Sequence, residues 1–332
     1  MATTCPPPPT MSAVLVREFG DSSRMNVEQI TVPEVTSNTH VLVKVLCAGV
    51  NPVDTYIRTG TYAIKPTLPY TPGKDGAGIV ASVGKDIEES DLKVGDHVYI
   101  DGPSSGTLAQ FCLCDRSAVF KIDDGVPFDQ AACLGVPSST AYRALFTRCR
   151  IESGESVLIH GAAGACGTVC VQLAKRHGCV VYGTASTEEG RKCALQAGCK
   201  AVSAHDDLGS LNGVVFDVAI EMLANATIAD TIQHLAPGAR VGVVGNRGLA
   251  DGVNMRDLMS REACVMGVML GKSTAADRLE TNKAIQSALQ DTSLKPVVGA
   301  SFEGLQKAGE AHDEVIAKRA CTYGRVVVHV EQ

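Results

Sequence analysis

The stretch of the chain best suited to chemistry runs Val157-Leu-Ile-His-Gly-Ala-Ala-Gly-Ala-Cys-Gly-Thr-Val-Cys-Val-Gln-Leu-Ala-Lys175. An apolar run, Val157 to Ile159, leads into glycines at 161, 164 and 167. Val169, Leu173 and Ala174 then follow at helical spacing. That order predicts a strand, a tight turn and a helix whose first backbone N–H groups face a pyrophosphate. Against the fingerprint G-x-G-x-x-G the chain reads Ala162-x-Gly164-x-x-Gly167, with alanine for the first glycine. A second apolar run, Cys179-Val-Val-Tyr-Gly-Thr184, follows at the distance a βαβ unit needs.

The elements that must hold this turn are legible as alternation. Apolar runs at 156–160, 180–185, 201–204, 214–221, 240–245 and 265–270 alternate with helical patterns at 166–178, 188–197, 225–236 and 255–262. Such alternation predicts a doubly wound parallel sheet. Residues 274–290 read as one more helix. Upstream the pattern is β-rich, with candidate strands at 12–19, 41–48, 78–83, 97–100, 109–114 and 118–122 separated by Gly, Pro and Asp. Helical patterns follow at 128–134 and 139–149. The tail, at 295–298 and 324–330, returns to strand and is expected to rejoin the first domain. The expected organisation is an α/β chain with a leader at 1–11 and a β-rich domain from 12–135 and 286–332. A nucleotide-binding domain, 136–285, is inserted between its two parts.

Composition narrows the class. The chain has 332 residues, 45% apolar and 20% charged, as folded globular proteins do. Net charge is −6 without a Lys/Arg block, which disfavours a dedicated nucleic-acid surface. No apolar run reaches the ~18 residues of a membrane span. The start, with prolines at 6–9 and no apolar core, does not read as a signal peptide and is expected to be disordered. Thirteen cysteines scattered among apolar neighbours fit a reduced, cytoplasmic chain better than a disulfide framework. Cys112 and Cys114 share one face of an expected strand, as buried thiols would.

Several strings are similar to those of ζ-crystallin-type quinone oxidoreductases in the medium-chain dehydrogenase/reductase superfamily. They are Gly49-Val-Asn-Pro-Val-Asp-Thr-Tyr-Ile-Arg-Thr-Gly-Thr-Tyr62, Leu68-Pro-Tyr-Thr-Pro-Gly73, Thr140-Ala-Tyr-Arg-Ala-Leu145, Glu155-Ser-Val-Leu-Ile-His-Gly161, Gly183-Thr-Ala-Ser-Thr-Glu-Glu-Gly190 and Glu221-Met-Leu-Ala-Asn225. The resemblance runs in order from about residue 12 to residue 330. It implies a GroES-like catalytic domain, a Rossmann domain and a cleft between them.

Zinc is common in that superfamily. Where zinc relatives carry a cysteine after Gly-Val, this chain has Asn51. Where they carry Gly-His-Glu, it has Gly73-Lys-Asp75. The Lys74 charge repels a cation, and 84–115 lacks the cysteine lobe that holds structural zinc. No metal is expected.

The end of the second Rossmann strand argues for NADPH over NADH. An NAD site wants an acid there, and the chain has Ala185, Ser186 and Thr187, with Arg191 and Lys192 one turn on. Ser186 can donate to a 2′-phosphate, and His205 can add a contact. Ser186-Thr-Glu-Glu189 also fits a capping box. The resemblance places Ala163, Gly164, Ala165 and Cys166 at the pyrophosphate. It brings Asn225 and Val244-Gly-Asn-Arg247 to the cofactor, and Met269 and Leu270, ending the sixth strand, to the nicotinamide ring.

Reduction of a quinone needs no protein nucleophile, only donors for the oxygen that gains charge. Tyr56, Asn51 and Thr140 are the candidates, and Tyr56 is also a candidate nicotinamide contact. Ser138 and Ser139 stand where the family commonly has bulky aromatics, which would enlarge the acceptor pocket. The implied activity is zinc-independent NADPH:quinone reduction, with one-electron delivery giving semiquinones among the family precedents. Reduction of enones is the nearest rival. Relatives that bind AU-rich RNA or serve as crystallins supply a third reading, which the acidic charge disfavours. A homo-oligomer is expected, with 263–270 as a candidate edge for pairing between subunits.

Overall fold

The computed structural model describes residues 7–318 and 323–331. They divide into two compact units, and each is described by itself. The first comprises Met1–Val136, Val297–Cys321 and Arg325–Gln332; the second comprises Pro137–Pro296 and Thr322–Gly324.

The first unit opens with β1 (Thr10–Val16) and β2 (Met25–Thr31), an antiparallel pair with Val14 opposite Val27. β3 (His40–Val50) carries the unit's architecture. Its Val41, Val43 and Val45 alternate into the main core, while Leu42 points the other way into a second cluster with Met11, Ala13 and Phe111. Then come α1 (Pro52–Arg58), β4 (Asp75–Val83), β5 (His97–Asp101), β6 (Phe111–Asp115), β7 (Val119–Lys121) and α2 (Phe128–Ala131). Pro52 at the first helical position and Asp54 in the first turn suit the start of α1. α3 (Gly135–Tyr142) crosses from the first unit into the second and continues as a π-helical stretch, Arg143–Arg148.

The second unit is a six-stranded parallel sheet. Its strands are β8 (Ser156–Ile159), β9 (Val180–Thr184), β10 (Ala201–Ser203), β11 (Phe216–Glu221), β12 (Leu235–Val243) and β13 (Cys264–Gly267), in the spatial order β10-β9-β8-β11-β12-β13. Helices α4 (Ala165–Arg176), α5 (Glu188–Ala197), α6 (Ala224–Gln233), α7 (Met255–Arg261) and α8 (Ala275–Gln290) complete it. Val157, Leu158 and Ile159 are fully buried, because a central parallel strand is covered on both faces.

The chain then returns to the first unit through β14 (Val298–Glu303), α9 (Ala308–Ala317) and β15 (Arg325–His329). β15 pairs antiparallel with β3, Val326 opposite Val50, in a sheet ordered β14-β15-β3-β4-β5-β7 with β6 also on β3.

Several expectations need correction. Of the leader, residues 1–6 lie outside the described residues, but Thr10 and Met11 belong to β1, where Met11 is 2% exposed in an apolar cluster. The expected boundary at 285/286 falls inside α8, a continuous helix with its own capping box, which lies wholly in the second unit. β2, α1 and α9 went unread as elements. β12 begins at Leu235 rather than 240, through a register shift that accommodates Pro237 and Gly238. β13 stops at Gly267, so Met269 and Leu270 lie beyond it.

Candidate functional site

In the second unit, the glycine turn sits where β8 feeds α4. Gly161, at φ +63°, takes the left-handed conformation, so the sharp bend falls there and not at Ala162. Ala162 is buried, its N–H donating to the Thr184 carbonyl at 2.9 Å. A Cβ on Gly167 would lie 2.1 Å from the Gly161 carbonyl oxygen, so only glycine lets the helix close on the turn. Gly164 is the helix N-cap and offers no side chain to cap it. The N–H groups of Ala165, Cys166 and Gly167 therefore open the helix without intrahelical acceptors. Ala163 is buried, and its carbonyl accepts from the Gly324 N–H at 2.7 Å. This turn fits the diphosphate of a nicotinamide dinucleotide.

At the end of β9 the helix cap differs from the expected capping box. Thr187 is the N-cap, and its hydroxyl accepts from the Gly190 N–H at 3.0 Å. Ser186 is left exposed beside it. Arg191 reaches back, donating to the Ala185 carbonyl at 3.4 Å. Lys192 instead pairs with Glu188 at 2.8 Å, one turn back on the exposed face of α5. Arg191 thus turns toward the end of β9, while Lys192 keeps to the exposed face of α5.

Beneath the turn runs a buried polar chain. His205 Nδ1 lies 2.7 Å from Thr184 Oγ1, which lies 3.1 Å from His160 Nδ1. His160 Nε2 lies 2.8 Å from Thr231 Oγ1, which donates to Glu221 at 2.6 Å. Thr227 donates to the other Glu221 oxygen at 2.5 Å. Burial, with His205 nearby, pushes the His160 imidazole down to about 4, and burial raises the Glu221 carboxyl. Sequence reading found His205 as a ligand candidate but missed His160, Thr184 and Glu221, each at or just past a strand end.

The neighbouring loops are held by backbone contacts. The Val244 and Gly245 N–H groups both donate to the Glu221 carbonyl, and the Ala224 N–H donates to that of Gly245. Asn225 spends its side-chain oxygen on the Arg247 N–H, 2.9 Å away, so it shapes the loop. Asn246 and Arg247 are exposed. Met269 is 54% exposed and Leu270 half-buried in the short turn after β13.

In the first unit, Asn51 is not a free donor. It is 2% exposed, its amide donates to Asp75 at 2.9 Å, and its oxygen accepts from Arg325 at 2.7 Å. Arg325 also pairs with Asp75, whose other oxygen accepts from the Val136 N–H at 2.8 Å. Asn51 is a structural member of this buried cluster. Tyr56 sits half-buried on α1, and its hydroxyl has no hydrogen-bond partner among the described residues. Thr140 lies late in α3, not at a helix start, and belongs to the second unit. Ser138 and Ser139 are buried in the same helix, the Ser138 hydroxyl without a partner.

Two family patterns match. Residues 37–124 match the alcohol dehydrogenase GroES-like domain, and residues 165–288 match the zinc-binding dehydrogenase family. The donors do not fit zinc, whatever the second description says. Asn51 and Asp75 are committed to a guanidinium, and the described residues contain no group of three or more His, Cys, Asp or Glu able to hold a metal. Human quinone oxidoreductase is 38% identical over 325 residues, covering 96% of this chain and 97% of that one. The mouse quinone oxidoreductase is 40% identical over 315 residues, covering 92% and 94%. Among solved structures, mycobacterial Rv1454c complexed with NADPH superposes with a TM-score of 0.83 at 26% identity, covering 96% of this chain and 99% of that one. A quinone oxidoreductase from Pseudomonas syringae superposes with a TM-score of 0.82, also at 26% identity, covering 96% and 99%. A GroES-like unit and a dinucleotide-binding unit on one chain define a medium-chain dehydrogenase/reductase. Within that superfamily the chain belongs to the quinone oxidoreductase family, and it is an oxidoreductase.

Proposed function

We propose that the protein is an NADPH-dependent quinone reductase that works without zinc. The observation that carries this reading is the near-full-length match to proteins named quinone oxidoreductase on a chain whose dinucleotide turn is intact. Ala163, Gly164, Ala165 and Cys166 would hold the diphosphate through backbone N–H groups and the helix start. Ser186 and Arg191 would take the 2′-phosphate, since an exposed hydroxyl and a guanidinium stand where an NAD site wants a carboxylate. His205, Val244 to Arg247, Met269 and Leu270 would complete the cofactor's surroundings. Bound there, the cofactor supplies the reducing equivalents, as hydride or single electrons.

The chain's own part is to orient the acceptor and stabilise its oxygen. Tyr56 is the donor this reading favours, with its hydroxyl uncommitted among the described residues, and Thr140 is the second. Asn51 acts through the Asp75–Arg325 cluster and positions the start of α1. The eleven described cysteines are all free, and no described helix is long and apolar enough to cross a membrane, which support a cytoplasmic setting. β13 ends its sheet with Val265 41% exposed, supporting pairing of two copies along that edge.

The test is turnover of ortho- and para-quinones and of enones by purified protein, with NADPH and with NADH. The expected outcome is quinone-dependent NADPH oxidation, with kcat/KM about tenfold or more above that with NADH. That ratio corresponds to about 1.4 kcal/mol. A preference for NADH removes the cofactor assignment, and turnover of enones alone removes the quinone.

A further inference from the structure

The buried polar chain of the second unit crosses the sheet in the order of its strands. A doubly wound sheet takes its ligand at the carboxyl ends of the strands, and here these strands lie in the order β10-β9-β8-β11-β12. The chain of side chains follows that order. His205 is two residues past β10, Thr184 ends β9, His160 is the first residue past β8, and Glu221 ends β11. Thr184 Oγ1 reaches both histidines, and Thr231 of α6 links His160 to Glu221. The Glu221 carbonyl carries the connection on to β12 by accepting the Val244 and Gly245 N–H groups. Thr184, Thr231 and Glu221 have no exposure, and His160 has 2%. Five successive loops along the ligand-binding edge are thereby tied into one hydrogen-bonded series.

Thr184 is where this series meets the glycine turn. Its carbonyl accepts the Ala162 N–H at 2.9 Å, and its hydroxyl oxygen accepts the Gly161 N–H at 3.3 Å. Two successive N–H groups of the turn thus end on one residue of the neighbouring strand. The turn needs that support, because Gly161-Ala-Ala-Gly164 has no polar side chain with which to hold itself. Thr184 also leads directly into Ala185-Ser186-Thr187. One buried residue therefore lies between the segment assigned to the diphosphate and the segment assigned to the 2′-phosphate.

We infer that Thr184 is a positioning residue for the dinucleotide, setting the glycine turn against the end of β9, and that His160, Thr231 and Glu221 fix it from behind. The inference rests on the cofactor site proposed above. A site held in its bound geometry by a buried, fully bonded support gains affinity by losing less freedom on binding. Thr184 and Thr231 are assigned no contact with the reacting atoms. Their loss should weaken cofactor binding and leave the chemical step at saturating cofactor near its wild-type rate.

The test is the NADPH Kd, read by titration from the nucleotide's own fluorescence, which no tryptophan of this chain obscures. It is paired with kcat for quinone reduction at saturating NADPH. Thr184→Val should raise the Kd about tenfold, and Thr231→Val should raise it in the same direction although α6 holds none of the phosphate-binding residues. Thr184→Ser and Thr231→Ser, which keep the hydroxyl, should restore the wild-type Kd. A support that matters only for stability would lower the active fraction, and with it kcat, while leaving the Kd alone. That pattern, or a wild-type Kd in both valine variants, overturns the inference. A loss confined to Thr184→Val overturns the part of His160, Thr231 and Glu221. Should Thr231→Val fail to fold, His160→Gln decides that part. It keeps a donor toward Thr231 and removes the ring nitrogen facing Thr184, so a raised Kd is expected and a wild-type Kd overturns it. Wild type that binds no NADPH overturns the cofactor site itself, which separates that failure from this one.

Discussion

Glu221, the last residue of β11, and His160, the first beyond β8, bring Oε1 and Nε2 within 3.5 Å of each other, and neither is more than 2% exposed. This is not an ion pair, because burial keeps His160 neutral down to about 4. Thr231 joins them. It has one proton to give and gives it to Glu221, so donor counting assigns a hydrogen to His160 Nε2, pointing at Thr231. Nδ1 then accepts from Thr184, which accepts in turn from His205.

Breaking that chain at its middle should be expensive. Thr231→Val keeps the shape and strands both the His160 N–H and a Glu221 oxygen. Each buried group left unsatisfied costs about 1–3 kcal/mol, so thermal unfolding should shift down by several degrees. Thr231→Ser, which keeps the hydroxyl, should retain most of the stability. Equal melting temperatures for the valine variant and wild type would refute the donor assignment.

His312 on α9 is the opposite case. It is 1% exposed and neither ring nitrogen has a partner. Burial, then Arg58, depresses its pKa from 6.5 to about 3. The unfolded chain therefore takes up a proton below pH 6.5 that the folded chain refuses, and stability falls as pH drops from there. His160 acts in the same direction. Asp54, raised from 3.8 to about 6, recovers part of the loss below pH 6 because its folded form binds the proton more tightly. His312→Leu should gain about 1 kcal/mol at pH 7 and more at pH 5. Melting curves across that range check it, and a variant with the wild-type pH slope contradicts it.

Cofactor choice should respond to Arg191. Removing its guanidinium by Arg191→Ala should raise the KM for NADPH about tenfold, as loss of a charge-assisted phosphate contact does. The KM for NADH should change little. A matched loss with both cofactors would mean that the residue only holds the Ala185 carbonyl.

Arg325 holds the first unit's buried cluster. Arg325→Met leaves the Asp75 carboxylate uncompensated at zero exposure, and removing one partner of a buried pair costs about 3–5 kcal/mol. Denaturant unfolding should show that loss in the transition of the first unit. A loss below 1 kcal/mol would mean that the Asn51 and Val136 bonds alone satisfy Asp75.

Sequence reading located the parallel sheet well, because fully buried strands such as Val157–Leu158–Ile159 are continuous apolar runs that little else imitates. It missed β2, whose Met-Asn-Val-Glu-Gln-Ile-Thr string is half polar because one face is exposed. It also missed α1, seven residues that read as a loop until Pro52 and Asp54 are taken as helix-start signals. At the site, residue types were informative and partners were not. Asn51 looked like a donor for substrate, yet its partner Arg325 lies 274 residues away. The sequence offered Ser186 as the cap of a box with Glu189, and the backbone puts Thr187 at the cap instead.

β15 closes the sheet begun by β3, setting Val326 against Val50. A ribosome must therefore synthesise the whole Rossmann unit before the GroES-like unit can complete its hydrogen-bonded framework. The nascent chain presents a self-contained parallel sheet first, while the Cys47–Val50 end of β3 waits for its β15 partner. Translation speed through the last third of the message, and chaperone access to that waiting strand, thus bear on how much of the protein reaches its native state.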